Sequence, residues 1–440
     1  MKWTTSQKVS VGVVAVVFAT SMVLIRTSGD VVAETTVGPG VLSESLPDYS
    51  YLTADVSASA PGRALAIYQH GFNVEFMDFP QAVMVGADGS TARRIGAAET
   101  SDGSSLQGDN QPMALSPDGR LVAIGDYTSL SGEITMMDFD GTEPTKHPIP
   151  GAGSVTPLGW SHDNRHLVVA SSEQPFNPYS SLNPQRFSGD AWLLDVETGT
   201  LTAMEQADVS AAAFSPTGSE VALERGTSVD IVGTDGSLVR SIDLPAKRRL
   251  NGPNAWSPDG DLLALIDDDR SQCSWPDGAG AEKTWDDCVE SIEALTFLHA
   301  DGSNDPTPDP IRAGVAGDGD VLGWLGPQEV LVMDNVVRGD DDTTSYFVNA
   351  VQPDGTEPRR LSAISGFGNF GVGSFQMASA LVPDLTFAEG GASIDRGPWP
   401  LWAAIPTSLA AALVVLGAIG LAPRLNRWRR RTAAAEPQRP

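Results

Sequence analysis

ALSPDGRLVAIGD, from Ala114 to Asp126, sets an apolar pair, a Ser-Pro-Asp-Gly turn and an apolar run of strand length in succession. Pro117 presets φ at the second turn position, Asp118 bonds back to the following backbone, and Gly119 accepts the left-handed geometry that closes the turn. The stretch therefore predicts a β-hairpin. The phrase returns as LGWSHDNRHLVVAS from Leu158, AAFSPTGSEVALER from Ala212 and NAWSPDGDLLALID from Asn254, with a weaker copy, LGWLGPQEVLVMD, from Leu322. Between these copies runs a second phrase, an apolar strand entering an Asp-Gly-type turn and leaving as a short strand. Its copies start at Val83, Ile134, Trp192, Val229, Leu295 and Phe347.

Two hairpins per unit make a four-stranded antiparallel sheet, and units of roughly 40 to 60 residues that cannot bury both faces alone stack radially as a β-propeller. The fold class is all-β, and the count is six blades: 61–98, 111–150, 155–205, 209–245, 251–312 and 319–365. A seventh blade is left open by the count. The first unit has SAPGRALAIY where the others have the Ser-Pro-Asp-Gly turn, and SFQMASALV from Ser374 is a candidate to return and close the ring, which removes an open edge. The repeated phrase resembles that of TolB-like and WD-repeat-like six-bladed propellers. The resemblance implies the fold over most of the middle region and says little about function, because such propellers serve as scaffolds, enzyme domains and platforms alike.

Composition agrees, since 45 glycines and 31 prolines in 440 residues suit a turn-rich fold better than a helical one. Between Thr27 and Asp395 there are 18 basic and 55 acidic residues, a charge of −37 that repels phosphate backbones and excludes nucleic acid as a partner. The basic residues gather at the ends. VSVGVVAVVFATSMVLI, 9–25, lies between Lys2, Lys8 and Arg26 and reads as a signal anchor or signal peptide. WPLWAAIPTSLAAALVVLGAIGLA, 399–422, is uncharged, long enough to span a bilayer, and followed by Arg424, Arg427, Arg429, Arg430 and Arg431. The expected order is a cytoplasmic 1–8, a membrane segment 9–25, an extracytoplasmic linker with a candidate closing strand in 26–60, a propeller over 61–390, a membrane helix 399–422 and a basic cytoplasmic tail 423–440. The chain is thus expected in the cell membrane, tethered by two helices with its bulk outside.

Cys273 and Cys288 are the two cysteines, and outside the cell a disulfide between them is expected rather than a metal site. Such a bridge would contribute on the order of 3 kcal/mol. It sits in one of two long insertions, SSEQPFNPYSSLNPQRFSGD from Ser171 and DDDRSQCSWPDGAGAEKTWDDCVES from Asp267, each between the second and third strands of its blade and so on one face of the disc. Phe176, Tyr179, Phe187, Trp275 and Trp285 are the candidate binding residues there; equally, these rings could form small cores under their own loops. Asp267 to Asp269 and Asp340 to Asp342 are acidic runs that raise calcium as a minor cofactor hypothesis, but consecutive carboxylates on a strand point in alternating directions and rarely converge, so no cofactor is expected.

Catalytic motifs are missing. Gly366 to Gly371 matches a dinucleotide fingerprint only formally, without a helix to hold a pyrophosphate, and His162 and His166 lie in a hairpin where helical ligand spacing does not apply. The leading expectation is a non-catalytic scaffold that binds a protein or an envelope component. The alternatives are a propeller enzyme acting on glycan or peptide with carboxylates at the channel mouth, and the ectodomain of a membrane sensor complex.

Overall fold

The structure is a computed structural model and describes residues 13–23, 38–48, 50–72, 81–99, 110–127, 131–176, 186–267, 294–312, 315, 321–327, 329–338, 343–353, 356–364, 371–388 and 394–434. The chain divides into two compact units, one holding 32–50 and 60–395 and the other 1–31, 51–59 and 396–440.

The larger unit is a six-bladed propeller of antiparallel sheets. Blade two runs Met113–Leu115, Leu121–Ile124, Glu133–Asp138, Thr145–Pro148; blade three Ser154–Trp160, His166–Ser172, Asp190–Asp195, Thr200–Ala203; blade four Val209–Phe214, Glu220–Arg225, Ser228–Gly233, Leu238–Asp243. In each, connections between strands one and two and between three and four emerge at one end, called the lower face. Connections between strands two and three, and between blades, emerge at the other, the upper face.

The repeated turn explains itself atom by atom. Ser116 Oγ donates to Asp118 Oδ1 at 2.8 Å and accepts the Leu121 amide at 2.9 Å; Ser161 with Asp163 and His166 does the same, as does Ser257 with Asp259 and Leu262. These serines are buried, so each hydroxyl replaces water for a strand-end amide that would otherwise be orphaned. The aromatic residue before the turn ties blades together: Trp160 Nε1 donates to Ala114 O at 3.1 Å and Trp324 Nε1 to Asn254 O at 2.9 Å. The apolar alternation is buried between blades, with Leu167, Val169 and Leu194 packed with blade two's Ile134 and Met136, and Val168, Ala191 and Leu193 with blade four's Ala212 and Leu223.

The ring closes through the C-terminal strand Gly371–Met377, which pairs antiparallel with Ala64–Phe72 and becomes the first strand of blade one, ahead of Gln81–Gly86 and Ala92–Arg94. Blade one lacks the Ser-Pro-Asp-Gly turn because its first two strands are not consecutive in sequence. Gln376 bridges the closing strand to blade two, accepting from Leu115 N and donating to Met113 O.

Two blades depart from four strands. Among the described residues blade five has three, Arg248–Leu250, Leu262–Asp267 and Leu295–His299, with a bridge from Leu295 to Ile311 where the fourth would lie. Pro306, Pro308 and Pro310 withhold three backbone donors from that edge, so no ladder extends along it. Blade six, Val321–Trp324, Val330–Arg338, Thr343–Val351 and Arg359–Ile364, gains a fifth when Ser45–Leu46 adds parallel to its outer edge.

The smaller unit contains the helix Leu401–Ala434, within which Leu401–Ile419 is long and apolar enough to cross a membrane, with mean hydropathy 2.0. The expectation of two such helices is corrected to one among the described residues. The described N-terminal helix, Val13–Val23, rises about 16 Å at 1.5 Å per residue, well short of a hydrocarbon core about 30 Å thick.

Candidate functional site: the upper rim of blades two to four

Of the five aromatic candidates, Phe176 and Phe187 lie among the described residues and the structure brings them together; Tyr179, Trp275 and Trp285 lie outside that set. Phe176 follows blade three's second strand and Phe187 precedes its third, so they are the two feet of the blade-three insertion. Both rest on Tyr127, the residue that leaves blade two at the same face. Ring centroids are 5.1 Å for Tyr127 to Phe176, 5.8 Å for Tyr127 to Phe187 and 5.2 Å for Phe176 to Phe187. The edge-on and offset arrangements are those aromatic quadrupoles favour. Phe187 is buried and Phe176 half-buried, and Phe176 N donates to Tyr127 O at 2.9 Å. Burial pushes the Tyr127 hydroxyl pKa above its ordinary value. These rings make a small core under the insertion.

Arg186, beside Phe187, reaches into blade four. Its Nη1 lies 3.2 Å from Glu224 Oε1, which also accepts the Ser210 hydroxyl at 2.9 Å, while Glu224 Oε2 accepts the Leu250 amide at 2.7 Å. Glu224 is therefore a joint between the insertion, blade four and blade five. The neighbouring Arg225 is held by Asp230 Oδ2 at 2.7 Å, Gln206 Oε1 at 3.1 Å and Ala207 O at 2.8 Å, and Ser241 Oγ donates to Asp230. The exit of the insertion is fixed by backbone, since Gly189 and Val209 exchange both hydrogen bonds at 3.1 and 2.9 Å. Gly189 must be glycine, because a Cβ there would sit 2.2 Å from Ser171 O. Tyr127, Arg186 and Glu224 were not singled out from sequence. The signal that could have found Glu224 is its place at the upper end of a strand whose copies in other blades carry Gly125 and Ala170.

The feet are closely hydrogen-bonded and can hold both ends of an insertion in register across three blades. Among the described residues no group of three or more His, Cys, Asp or Glu converges as metal ligands would. Cys273 and Cys288, the Asp267 side chain, Asp268, Asp269 and Asp340 to Asp342 lie outside the described residues. His162 sits in a turn and His166 opens a strand, its Nε2 lying 3.9 Å from Asp195 Oδ2.

No protein-family model matches the chain, and no curated protein matches it. Solved structures similar to it include TolB from Acinetobacter baumannii, at 14% identity over 72% of this chain and 67% of that one with a TM-score of 0.43. Oligogalacturonate lyase from Vibrio parahaemolyticus is similar at 12% identity over 76% and 80%, TM-score 0.41. The Cps50 (Swd1) β-propeller domain from Myceliophteria thermophila is similar at 15% over 57% and 70%, TM-score 0.35. By its own strand pairing the chain is a six-bladed β-propeller.

Proposed function

We propose that this protein is a membrane-tethered, extracytoplasmic propeller that binds a protein or a cell-envelope component through the upper rim of blades two to four, without catalysis. The observation that carries the reading is the frame just described: both feet of the blade-three insertion are locked into the ring by Tyr127, Glu224 and the Gly189–Val209 pair. Fixed feet set where the insertion leaves and rejoins the rim, which spares part of the ordering cost of association. Tethering rests on the apolar Leu401–Ile419 and the arginines that follow, which by the positive-inside rule put the C-terminus in the cytoplasm and the propeller outside.

The test uses the full chain in lipid nanodiscs with a photo-crosslinking amino acid at Tyr179, incubated with solubilised native membranes and envelope polymers. Adducts that saturate, and that vanish when 177–185 is replaced by a Gly-Ser linker of equal length, support the reading. No saturable adduct from any fraction, together with turnover of a glycan or peptide library by the same protein, overturns it in favour of an enzyme.

A further inference from the structure

A second concavity lies on the opposite face of the disc, where the lower ends of blades three and four meet. Its walls are His166 and Leu193, Asp195 and Thr198 from the third-to-fourth strand turn of blade three, Thr200 and Thr202 on the outer strand, and Thr234 from the corresponding turn of blade four. The cavity measures about 270 Å³, just under the range of about 300–1,000 Å³ usual for small-molecule sites. Four of its seven walls are threonines.

The chemistry of this lining is specific. Asp195 is spoken for on both oxygens: Oδ1 accepts the Thr198 amide at 2.9 Å and Oδ2 accepts Arg165 Nε at 3.0 Å. Arg165 offsets the charge of Asp195, so among the lining side chains hydroxyls outnumber charged groups and the one carboxylate is paired. Each carboxylate oxygen nevertheless keeps a lone pair able to accept one more donor. Thr198 Oγ1 donates to Thr200 Oγ1 at 2.8 Å, which leaves the Thr200 proton available. The hydroxyls of Thr202 and Thr234 have no hydrogen-bond partner among the described residues. A hydroxyl is both donor and acceptor, and a row of them across two blades complements a ligand that is itself a row of hydroxyls. Leu193, buried at the back, supplies an apolar contact for the C–H face of a ring.

We propose that the cleft between blades three and four on the lower face is a binding site for a neutral saccharide. It is separate from the upper rim: strands two and three connect at one end of the blade, and these turns lie at the other. The propeller then presents two faces with different tasks, and the fate of one does not decide the fate of the other.

The experiment is saturation-transfer NMR and titration of the full chain in nanodiscs against neutral hexoses, pentoses and their short oligomers, with an anionic uronic-acid oligomer and a polyamine as competitors of opposite charge. Binding of a neutral sugar is expected, weakened roughly two- to tenfold by each of Thr202→Val and Thr234→Val. Thr202→Ser and Thr234→Ser should restore it, and replacement of 177–185 should leave it unchanged. The valine variants keep volume and are checked for an unchanged melting temperature, with the serine variants as the control for any that lose it. No neutral sugar bound at millimolar concentration, or tighter binding of the uronic acid or the amine than of any neutral sugar, overturns the proposal. Neutral-sugar binding that survives both valine substitutions overturns the site.

Discussion

Arg186 Nη1 and Glu224 Oε1 stand 3.2 Å apart across the boundary between blades three and four, and they are unequally buried: the arginine side chain is 39% exposed and the glutamate 3%. That asymmetry decides what each contributes. Without Glu224 the Leu250 amide and the Ser210 hydroxyl lose their acceptor inside the protein, and Glu224→Ala should cost about 3 kcal/mol or more. Arg186→Ala leaves Glu224 its Ser210 and Leu250 donors and opens the site on the exposed arginine side, so it should cost less, about 1–2 kcal/mol. Thermal unfolding of the two variants beside the parent checks the order; equal losses would refute the account of Glu224 as a joint.

The aromatic trio makes a separate prediction. Phe187→Ala empties a buried ring site between Tyr127 and Phe176 and should destabilise the propeller by about 3 kcal/mol, while Phe187→Leu, which keeps most of the volume, should cost about 1 kcal/mol. Denaturant unfolding measures both. If the insertion depends on these feet, limited proteolysis of Phe187→Ala should cut within 173–189 sooner than in the parent.

Two glycines at equivalent turns should respond differently to the same change. Gly119 and Gly218 have φ of 76° and 71°, so alanine at either pays the left-handed penalty of about 1–2 kcal/mol. At Gly119 the new Cβ would also lie 2.0 Å from the Ala64 carbonyl oxygen of blade one, whereas at Gly218 nothing lies within 4 Å. Gly218→Ala should therefore yield folded protein, and Gly119→Ala should lose several kcal/mol or fail to fold because it wedges blade two from blade one. Circular dichroism melts of the pair separate the two terms.

Acid should destabilise the propeller in two windows. Burial holds His147 below its ordinary pKa of 6.5, so the unfolded chain takes the proton first; this stability is complete above pH 6.5 and drains away as pH falls below it. Asp195 is held down to about 2 by the Thr198 amide and by Arg165, against 3.8 when unfolded. Asp235, bonded by Ser237, and Asp301, bonded by Ser303, are lowered in the same sense. Their contribution is present above pH 3.8 and lost as pH falls toward 2. Asp138, raised by burial, by the Asp140 charge and by the Asp140 side-chain hydrogen bond, works the other way. Melting temperatures from pH 7 to pH 3 should fall in both windows; His147→Gln combined with His162→Gln, whose pKa burial also lowers, should flatten the first, and Asp195→Asn should lessen the second.

The sequence by itself determined the repeated hairpin and the uncharged helix near the C-terminus, because each depends on forces acting within a few residues; that the ring closes at six blades rather than seven was decided by the strand pairing. Ser116, Pro117, Asp118 and Gly119 write their turn in local φ preferences and side-chain to backbone bonds, and the alternation in Leu121–Ile124 follows from a strand's two-residue period. Phe176 and Phe187 were legible as candidates, since long insertions with aromatics stand out against the repeat. Their partner Tyr127, the joint at Glu224 and the threonine cleft were not, because each joins side chains from different blades, and which copies of a repeat become neighbours through which atoms depends on packing. The prolines of blade five could be seen, but not that three of them would reduce that sheet to three strands. Closure stands between the two: SFQMASALV from Ser374 was legible as a returning strand, but the register of Gly371–Met377 on Ala64–Phe72, across some three hundred residues, carries a loop-closure entropy that only the assembled ring offsets. Local chemistry wrote the blades, and long-range burial and hydrogen bonding decided how they met and what lay between them.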